Sequence, residues 1–242
     1  MDKISTGSYD FNDWLSGGYE KGIVTMVVGP PGSGKTNLTL LSACSQAKDK
    51  KVIFIDTEGG FSSERVKQIV GEKNHEKILG NILLLNPTNF SEQKECFSKL
   101  LKYLKGEEVG LIIVDSMAML YRLELGEAVS MEGDEKIKDV NRDVSKQMRI
   151  LVEICRKQNM PVLITNQVYG GFVSEEDWKK GLEKEMNIVG GDLFKYWSKC
   201  IIELKQKGRG RKAVLLKHRS LGQKEFNFEI RNEGLFKKSG LF

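Results

Sequence analysis

The feature that most constrains this chain is the octapeptide Gly29-Pro30-Pro31-Gly32-Ser33-Gly34-Lys35-Thr36. It follows an apolar, β-branched run from Ile23 to Val28 and opens a segment of helical period from Thr36 to Gln46. The whole octapeptide fits GxxxxGK[ST], a pattern that requires a strand before it and a helix after it. Its glycines let backbone N–H groups turn inward around phosphates. Lys35 is then placed to reach the β- and γ-phosphates, Thr36 to bind Mg²⁺, and the positive end of the helix dipole to face the same anion. The sequence thus predicts a loop from Gly29 to Thr36 that holds ATP and Mg²⁺ at the start of an α/β domain.

The remaining pattern agrees with that fold class. Strands are predicted at Lys51 to Ile55, Ile82 to Leu85, Leu111 to Val114 and Pro161 to Thr165, alternating with helical segments, the signature of a parallel sheet flanked by helices. Leu111 to Val114 is uniformly apolar and reads as a central strand buried on both faces. Ser62 is a candidate N-cap for the helix that runs to Val70. Ser91 to Leu104 reads as a helix with Cys96, Leu100, Leu101 and Leu104 on one face, and Val140 to Gln158 as a helix with Val144, Met148, Leu151, Val152 and Cys155 toward the core. Ile201 to Leu204, Ala213 to Leu216 and Phe226 to Ile230 read as antiparallel strands, a small β extension at the end of the sheet. At 242 residues, one large core is expected rather than two domains.

Three acids and an amide stand at strand ends. Asp115 closes Leu111-Ile112-Ile113-Val114; by itself it reads as a turn or cap residue, and with the upstream loop as the acid that holds Mg²⁺. Asp56 and Glu58 lie in Phe54-Ile55-Asp56-Thr57-Glu58-Gly59. Either they are solvated loop acids, or Glu58 orients and deprotonates the water that attacks the γ-phosphate. Thr165-Asn166-Gln167 is either a polar strand-end turn or an amide that senses that phosphate.

Charge is unevenly spread. The net charge is +5, yet Leu204 to Lys224 holds eight Lys or Arg and no acid, so the remainder of the chain is slightly acidic. Lys207-Gly208-Arg209-Gly210-Arg211-Lys212 reads as a hairpin turn carrying cations, with Lys217-His218-Arg219 on the return strand. Such a stretch is either a solvated face or a sequence-independent contact for a phosphate backbone; the absence of acids favours DNA contacts by Lys207, Arg209, Arg211, Lys212, Lys217, His218 and Arg219.

Other classes are excluded. Apolar runs fall short of the roughly 18 residues of a membrane helix, and the N-terminus has no secretion-signal pattern, so a cytoplasmic location is expected. Cys44, Cys96, Cys155 and Cys200 are widely separated without CxxC or Cys/His clustering, so neither a zinc site nor a disulfide framework is expected.

Gly17-Gly18, the phosphate loop, Phe54 to Gly59, Leu111 to Ser116, Leu120-Tyr121-Arg122, Ile164 to Val168, Gly190-Gly191 and Lys207 to Gly210 occur in the order seen in RecA/RadA recombinases. Over nearly its whole length the chain resembles that family, and within it the short archaeal paralogues that consist of the ATPase core alone. The resemblance implies a RecA-like core with Glu58 as the catalytic carboxylate and Gln167 as the link between the γ-phosphate and DNA. It places the first DNA loop within Tyr121 to Asp143 and the second within Tyr169 to Val189.

Three departures accompany it. There is no room before Ile4 for the family's helix-hairpin-helix domain, and no phenylalanine is followed by alanine three positions on, so the FxxA assembly motif is missing. The missing motif argues against a RadA-like filament and leaves a homodimer open. Tyr121 to Asp143 carries seven acids against four bases, and Tyr169 to Val189 five against three. Acidic loops repel a polyanion, which shifts the expected DNA contacts toward the basic hairpin. The expectation is an ATP- and single-stranded-DNA-binding accessory protein with weak ATPase that assists a RadA recombinase. A DNA-dependent strand-exchange enzyme and a regulatory ATPase of the KaiC type acting on a protein partner are the alternatives.

Overall fold

The structure, a computed structural model, describes residues 2–106, 108–130, 133–170, 186–207 and 210–238. Its elements run in the order β1 (Lys3–Ile4), α1 (Tyr9–Trp14), β2 (Tyr19–Glu20), β3 (Val24–Gly29), α2 (Lys35–Gln46), β4 (Lys51–Asp56), α3 (Ser63–Val70), α4 (Glu72–Leu79), β5 (Ile82–Leu85) and α5 (Phe90–Tyr103). They continue as β6 (Val109–Asp115), α6 (Met119–Ser130), α7 (Asp134–Lys157), β7 (Val162–Gly170), β8 (Met186–Ile188), α8 (Asp192–Trp197), β9 (Cys200–Lys207), β10 (Gly210–Lys217), β11 (Glu225–Arg231) and β12 (Gly234–Lys237).

One sheet organises these elements in the order β12-β11-β10-β9-β3-β7-β6-β4-β5. From β9 to β5 every pairing is parallel, and from β9 to β12 every pairing is antiparallel. Alternate side chains of the parallel strands enter two separate cores. Val27, Phe54, Ile113 and Leu163 pack beneath α1 to α4, while Val28, Ile55, Val114 and Ile164 pack beneath α5 to α8. Burial on both faces is why these strands read as unbroken apolar runs. The mostly parallel RecA-like sheet with a C-terminal antiparallel extension is therefore as expected, with β12 as an additional strand. Among the described residues no helix is long and apolar enough to cross a membrane.

Local chemistry sets the helix starts. Ser62 Oγ accepts the Arg65 N–H at 3.1 Å, the expected N-cap of α3. Asn89 caps α5 in the same way through Glu92 N–H. The buried face of α5 differs from the expected one: Phe90, Gln93, Phe97 and Leu100 face inward, while Leu101 is 57% exposed. The helix starts one residue earlier than the apolar cluster suggested. Phe90 and Phe97 then supply the larger apolar payload, and Gln93 is drawn inward by its 2.7 Å bond to Gln147 on α7.

The extension is locked onto the rest at two ends. At the carboxyl edge of the sheet, a Cβ on Gly29 would stand 2.5 Å from the Leu204 carbonyl oxygen, and one on Gly34, whose φ is +105°, would stand 2.7 Å from Ile230 Cδ1. Arg65 fastens the same region: its guanidinium donates to Asn37 Oδ1 at 2.8 Å, to the Asn232 carbonyl at 2.9 Å and to the Arg231 carbonyl at 2.8 Å. At the opposite edge, Arg219 and Ser220 donate to the fully buried carboxylate of Glu20. The His218 ring, 2% exposed, faces Glu20 with Nε2 3.8 Å from Oε1.

Burial holds the His218 imidazole below its ordinary value of 6.5 against the opposing pull of Glu20, and Lys3, Arg219 and Lys224 add to the depression. The unfolded chain therefore binds a proton near pH 6.5 that the folded chain resists. This contribution to stability is complete above that pH and declines as pH falls through it. Urea unfolding from pH 7.5 to 5 is expected to show this decline and His218→Gln to flatten it; an equal slope in both proteins would refute the assignment. Gly34→Ala combines a left-handed φ with the Ile230 clash and is expected to lower unfolding free energy by about 1–3 kcal/mol in the same assay.

Candidate nucleotide site and basic hairpin

The carboxyl ends of β3, β4, β6 and β7 bring the expected residues to one edge of the sheet. The loop from Gly29 to Thr36 leaves β3 and opens α2 at Gly34, with Gly32 at φ +74° and Gly34 at +105°. Both values lie where only glycine sits without strain. Lys35, 7% exposed, folds back so that Nζ donates to the Gly29 carbonyl at 2.9 Å and the Pro30 carbonyl at 3.1 Å. Burial pulls its pKa down, while Glu58 and Asp115 pull it up. Ser33 Oγ is buried without a partner.

Asp115 is 2% exposed at the end of β6. Oδ1 accepts from Thr165 Oγ1 on β7, and Oδ2 from Thr39 Oγ1 on α2 at 3.2 Å. Burial raises its pKa, and the hydroxyls of Thr165 and Thr36 oppose that rise. Thr39 was not singled out in the sequence, although its place one helical turn after Thr36 puts it on the same face of α2. Asp56 pairs with Asp115 across β4 and β6. It is no solvated loop acid: 4% exposed, it accepts the backbone N–H groups of Glu58 at 3.1 Å, Gly60 at 3.2 Å and Phe61 at 2.8 Å. An aspartate two residues before its own turn is a recognisable signal for such a loop.

The loop that Asp56 shapes carries Glu58 outward to meet Gln167. Gln167 Nε2 donates to Glu58 Oε1 at 3.0 Å across 109 positions of sequence. Gly60 lies against the Thr36 side chain, where a Cβ would stand 3.2 Å from Cγ2. Lys35, Thr36, Asp115, Glu58 and Gln167 thus form one constellation. Its donors suit a polyanion: a glycine-rich loop, a buried ammonium bound only to carbonyls, and an orphaned hydroxyl. Beside them, Thr36 and Asp115 supply the hard oxygen ligands that a divalent cation prefers. Among the described residues no cluster of three His, Cys, Asp or Glu suits a metal, and all four cysteines are free.

The basic residues do not form one patch. Because β10 runs back along the sheet, Lys212 sits near the nucleotide edge, while Lys217, His218 and Arg219 lie about 20 Å away at the opposite edge. Lys212 Nζ pairs with Glu225 at 2.7 Å, Lys205 with Glu203 at 3.5 Å, and Lys217 Nζ donates to the Lys195 carbonyl at 2.8 Å. Arg219 and His218 are directed at Glu20, as described above. Arg211 has a buried Nε without a partner. Arg209 and the side chain of Lys207 lie outside the described residues, as does 171–185, most of the expected second DNA loop. The expected first loop is helical over α6 and the start of α7, with residues 131 and 132 not described.

The chain matches the Rad51 family over residues 1–238. It is 40% identical over 239 residues to the DNA repair and recombination protein RadB of Methanobrevibacter smithii, covering 96% of this chain and 95% of that protein. It is 41% identical over 223 residues to RadB of Methanococcus maripaludis, with 91% and 94% covered. A crystal structure of the RadB recombinase superposes with a TM-score of 0.76 at 32% identity, covering 98% of this chain and all of that one. A phosphate loop joined to a strand-end carboxylate, a glutamate tied to a glutamine, and these full-length matches place the chain in the RadB branch of the Rad51 family of DNA repair and recombination proteins.

Proposed function

We propose that the chain acts as a single ATPase core that binds ATP·Mg²⁺ and single-stranded DNA and assists a RadA-type recombinase in the cytoplasm. The observation that carries this reading is the Gln167–Glu58 hydrogen bond, which joins the candidate catalytic base to β7, the strand that leads into the expected second DNA loop. The loop from Gly29 to Thr36 would cradle the phosphates, with Lys35 released from its two carbonyls to the β- and γ-phosphates, and Thr36 and Asp115 would hold the cation. When bound, Mg²⁺ supplies charge neutralisation to the phosphate oxygens. Glu58 would orient a water and take its proton, and Gln167 would fix the carboxylate that does so. Glu58 is exposed, so its charge is screened by water, which supports slow turnover.

For DNA, the hairpin tip around Lys207, Arg209 and Lys212 is the surface favoured by its lack of acids between Leu204 and Lys224. The pairing of Arg219 and His218 with Glu20 directs those two groups to the fold instead.

Two measurements test the assignment. Lys35→Ala is expected to abolish ATP binding, whereas Glu58→Gln keeps binding and lowers turnover by about 10²–10⁴-fold; equal turnover in Glu58→Gln and the parent protein rejects Glu58 as the base. Replacing Lys207, Arg209 and Lys212 together by Ala is expected to reduce the slope of log affinity for single-stranded DNA against log salt by about 2. An unchanged slope in filter binding removes the hairpin from the DNA surface.

A further inference from the structure

Arg211 is set apart from the other cations of the basic stretch by the face it occupies. Its cross-strand neighbours are Gln206 on β9 and Phe228 on β11. Directly opposed residues project from the same face of a sheet. Phe228 belongs to the core beneath α2, which identifies that face. Gln206 Oε1 stands 3.6 Å from where a Cβ on Gly32 would lie, and Ile230, the next residue of β11 on this face, touches the corresponding point on Gly34 at 2.7 Å. Arg211 therefore emerges between two side chains that each abut a glycine of the phosphate loop.

The charge around it is equally distinctive. Lys205, Lys212, Glu203, Glu225 and Glu229 alternate onto the opposite face, where Lys205 pairs with Glu203 and Lys212 with Glu225. Arg211 has no such carboxylate: it makes no hydrogen bond or ion pair among the described residues, and its Nε is buried without an acceptor. A guanidinium cannot discard its charge, and a buried donor left unpaired costs about 1–3 kcal/mol. An anion at the loop would relieve both.

We propose that Arg211 is a ligand of the bound nucleotide, its guanidinium donating to the diphosphate portion of a nucleoside di- or triphosphate. This deepens the nucleotide reading above and rests on it. The strand order assigns the phosphates: β3, which carries the loop, lies between β9 on one side and β7, β6 and β4 on the other. Asp115, Glu58 and Gln167 stand on the second side, so Arg211 approaches from the flank away from the γ-phosphate and contacts phosphates that ADP and ATP share. Arg211 is thereby removed from the DNA surface.

Titration calorimetry with Mg·ADP and a non-hydrolysable Mg·ATP analogue, on the parent protein, Arg211→Ala and Arg211→Lys, tests this, with DNA filter binding in parallel. Arg211→Ala is expected to bind both nucleotides about tenfold or more weakly, with Arg211→Lys intermediate and DNA affinity unchanged. Cooperative thermal unfolding of Arg211→Ala without nucleotide separates ligand loss from misfolding. Unaltered ADP affinity in the folded variant overturns the proposal, as does a loss confined to the ATP analogue or a loss confined to DNA. Failure of the parent protein to bind either nucleotide overturns the loop assignment itself.

Discussion

The buried carboxylate of Asp115 is the constraint around which the nucleotide edge is arranged. It ends the central strand β6, accepts one hydroxyl from β7 and another from α2, and so ties three elements at one point. Apolar packing alone would fix how far α2 lies above the sheet but would let it slide along its axis. A directional pair of hydrogen bonds removes that freedom, and each bond matters more because an unpaired buried acceptor costs about 1–3 kcal/mol. The loop from Gly29 to Thr36 ends at the N-terminus of that same helix, so its position relative to Glu58 and Gln167 follows from the tether. Asp56 repeats the device one strand over by accepting three N–H groups and fixing the turn that presents Glu58.

The C-terminal strands complete the site rather than decorate it. Leu204 and Ile230 abut Gly29 and Gly34 so closely that a single Cβ would displace them. Arg65 then pins the β11–β12 turn to the side chain of Asn37, which is the third residue of α2. A displacement of the phosphate loop must therefore be shared by β9 and β11. At the far edge the same strands are held by Glu20 on β2, where Arg219 pairs with a carboxylate that has no access to water. Breaking that pair would leave an uncompensated buried charge, the costly alternative for such sites.

Much of this was legible in the sequence because the signals were local. The phosphate loop, the apolar run before Asp115 and the Ser62 cap each depend on neighbours within a few residues. Family resemblance implied a role for Glu58 and another for Gln167, which spacing leaves as either functional groups or polar turns, but neither signal indicates that the two side chains meet. What stayed hidden depends on cross-strand register. Nothing in Lys207-Gly208-Arg209-Gly210-Arg211-Lys212 reveals that Arg211 and Lys212 face opposite sides of the sheet, or that Lys212 meets Glu225. Nor does an even count of charges show that the return strand carries Lys217 to Arg219 to the opposite edge. On α5, apolar residues flank Leu100 on both sides of the helix, and packing decides between them: the buried arc runs through Phe90, Gln93, Phe97 and Leu100, spaced three or four apart, and leaves Leu101 57% exposed.

These geometries give the phosphate loop two differently equipped flanks. On the β7 side, Gln167 holds Glu58 by a hydrogen bond, and under the proposed assignment it would respond to the γ-phosphate through the carboxylate it contacts. On the β9 side, the contacts are Gln206, Ile230 and the unpaired Arg211, none of which has access to that chemistry. Any signal from loop occupancy to the basic hairpin has the shorter route through β9, which runs directly from its contact with Gly29 to Lys207. A ligand can shift an equilibrium only by its differential affinity for the two states. With the proposed roles, the β9 flank would distinguish occupied from empty, whereas distinguishing ATP from ADP would require the β7 flank. The rigid join between the loop and the extension, with Leu204 and Ile230 packed against Gly29 and Gly34, is the route by which the proposed occupancy of the loop would reach the basic hairpin.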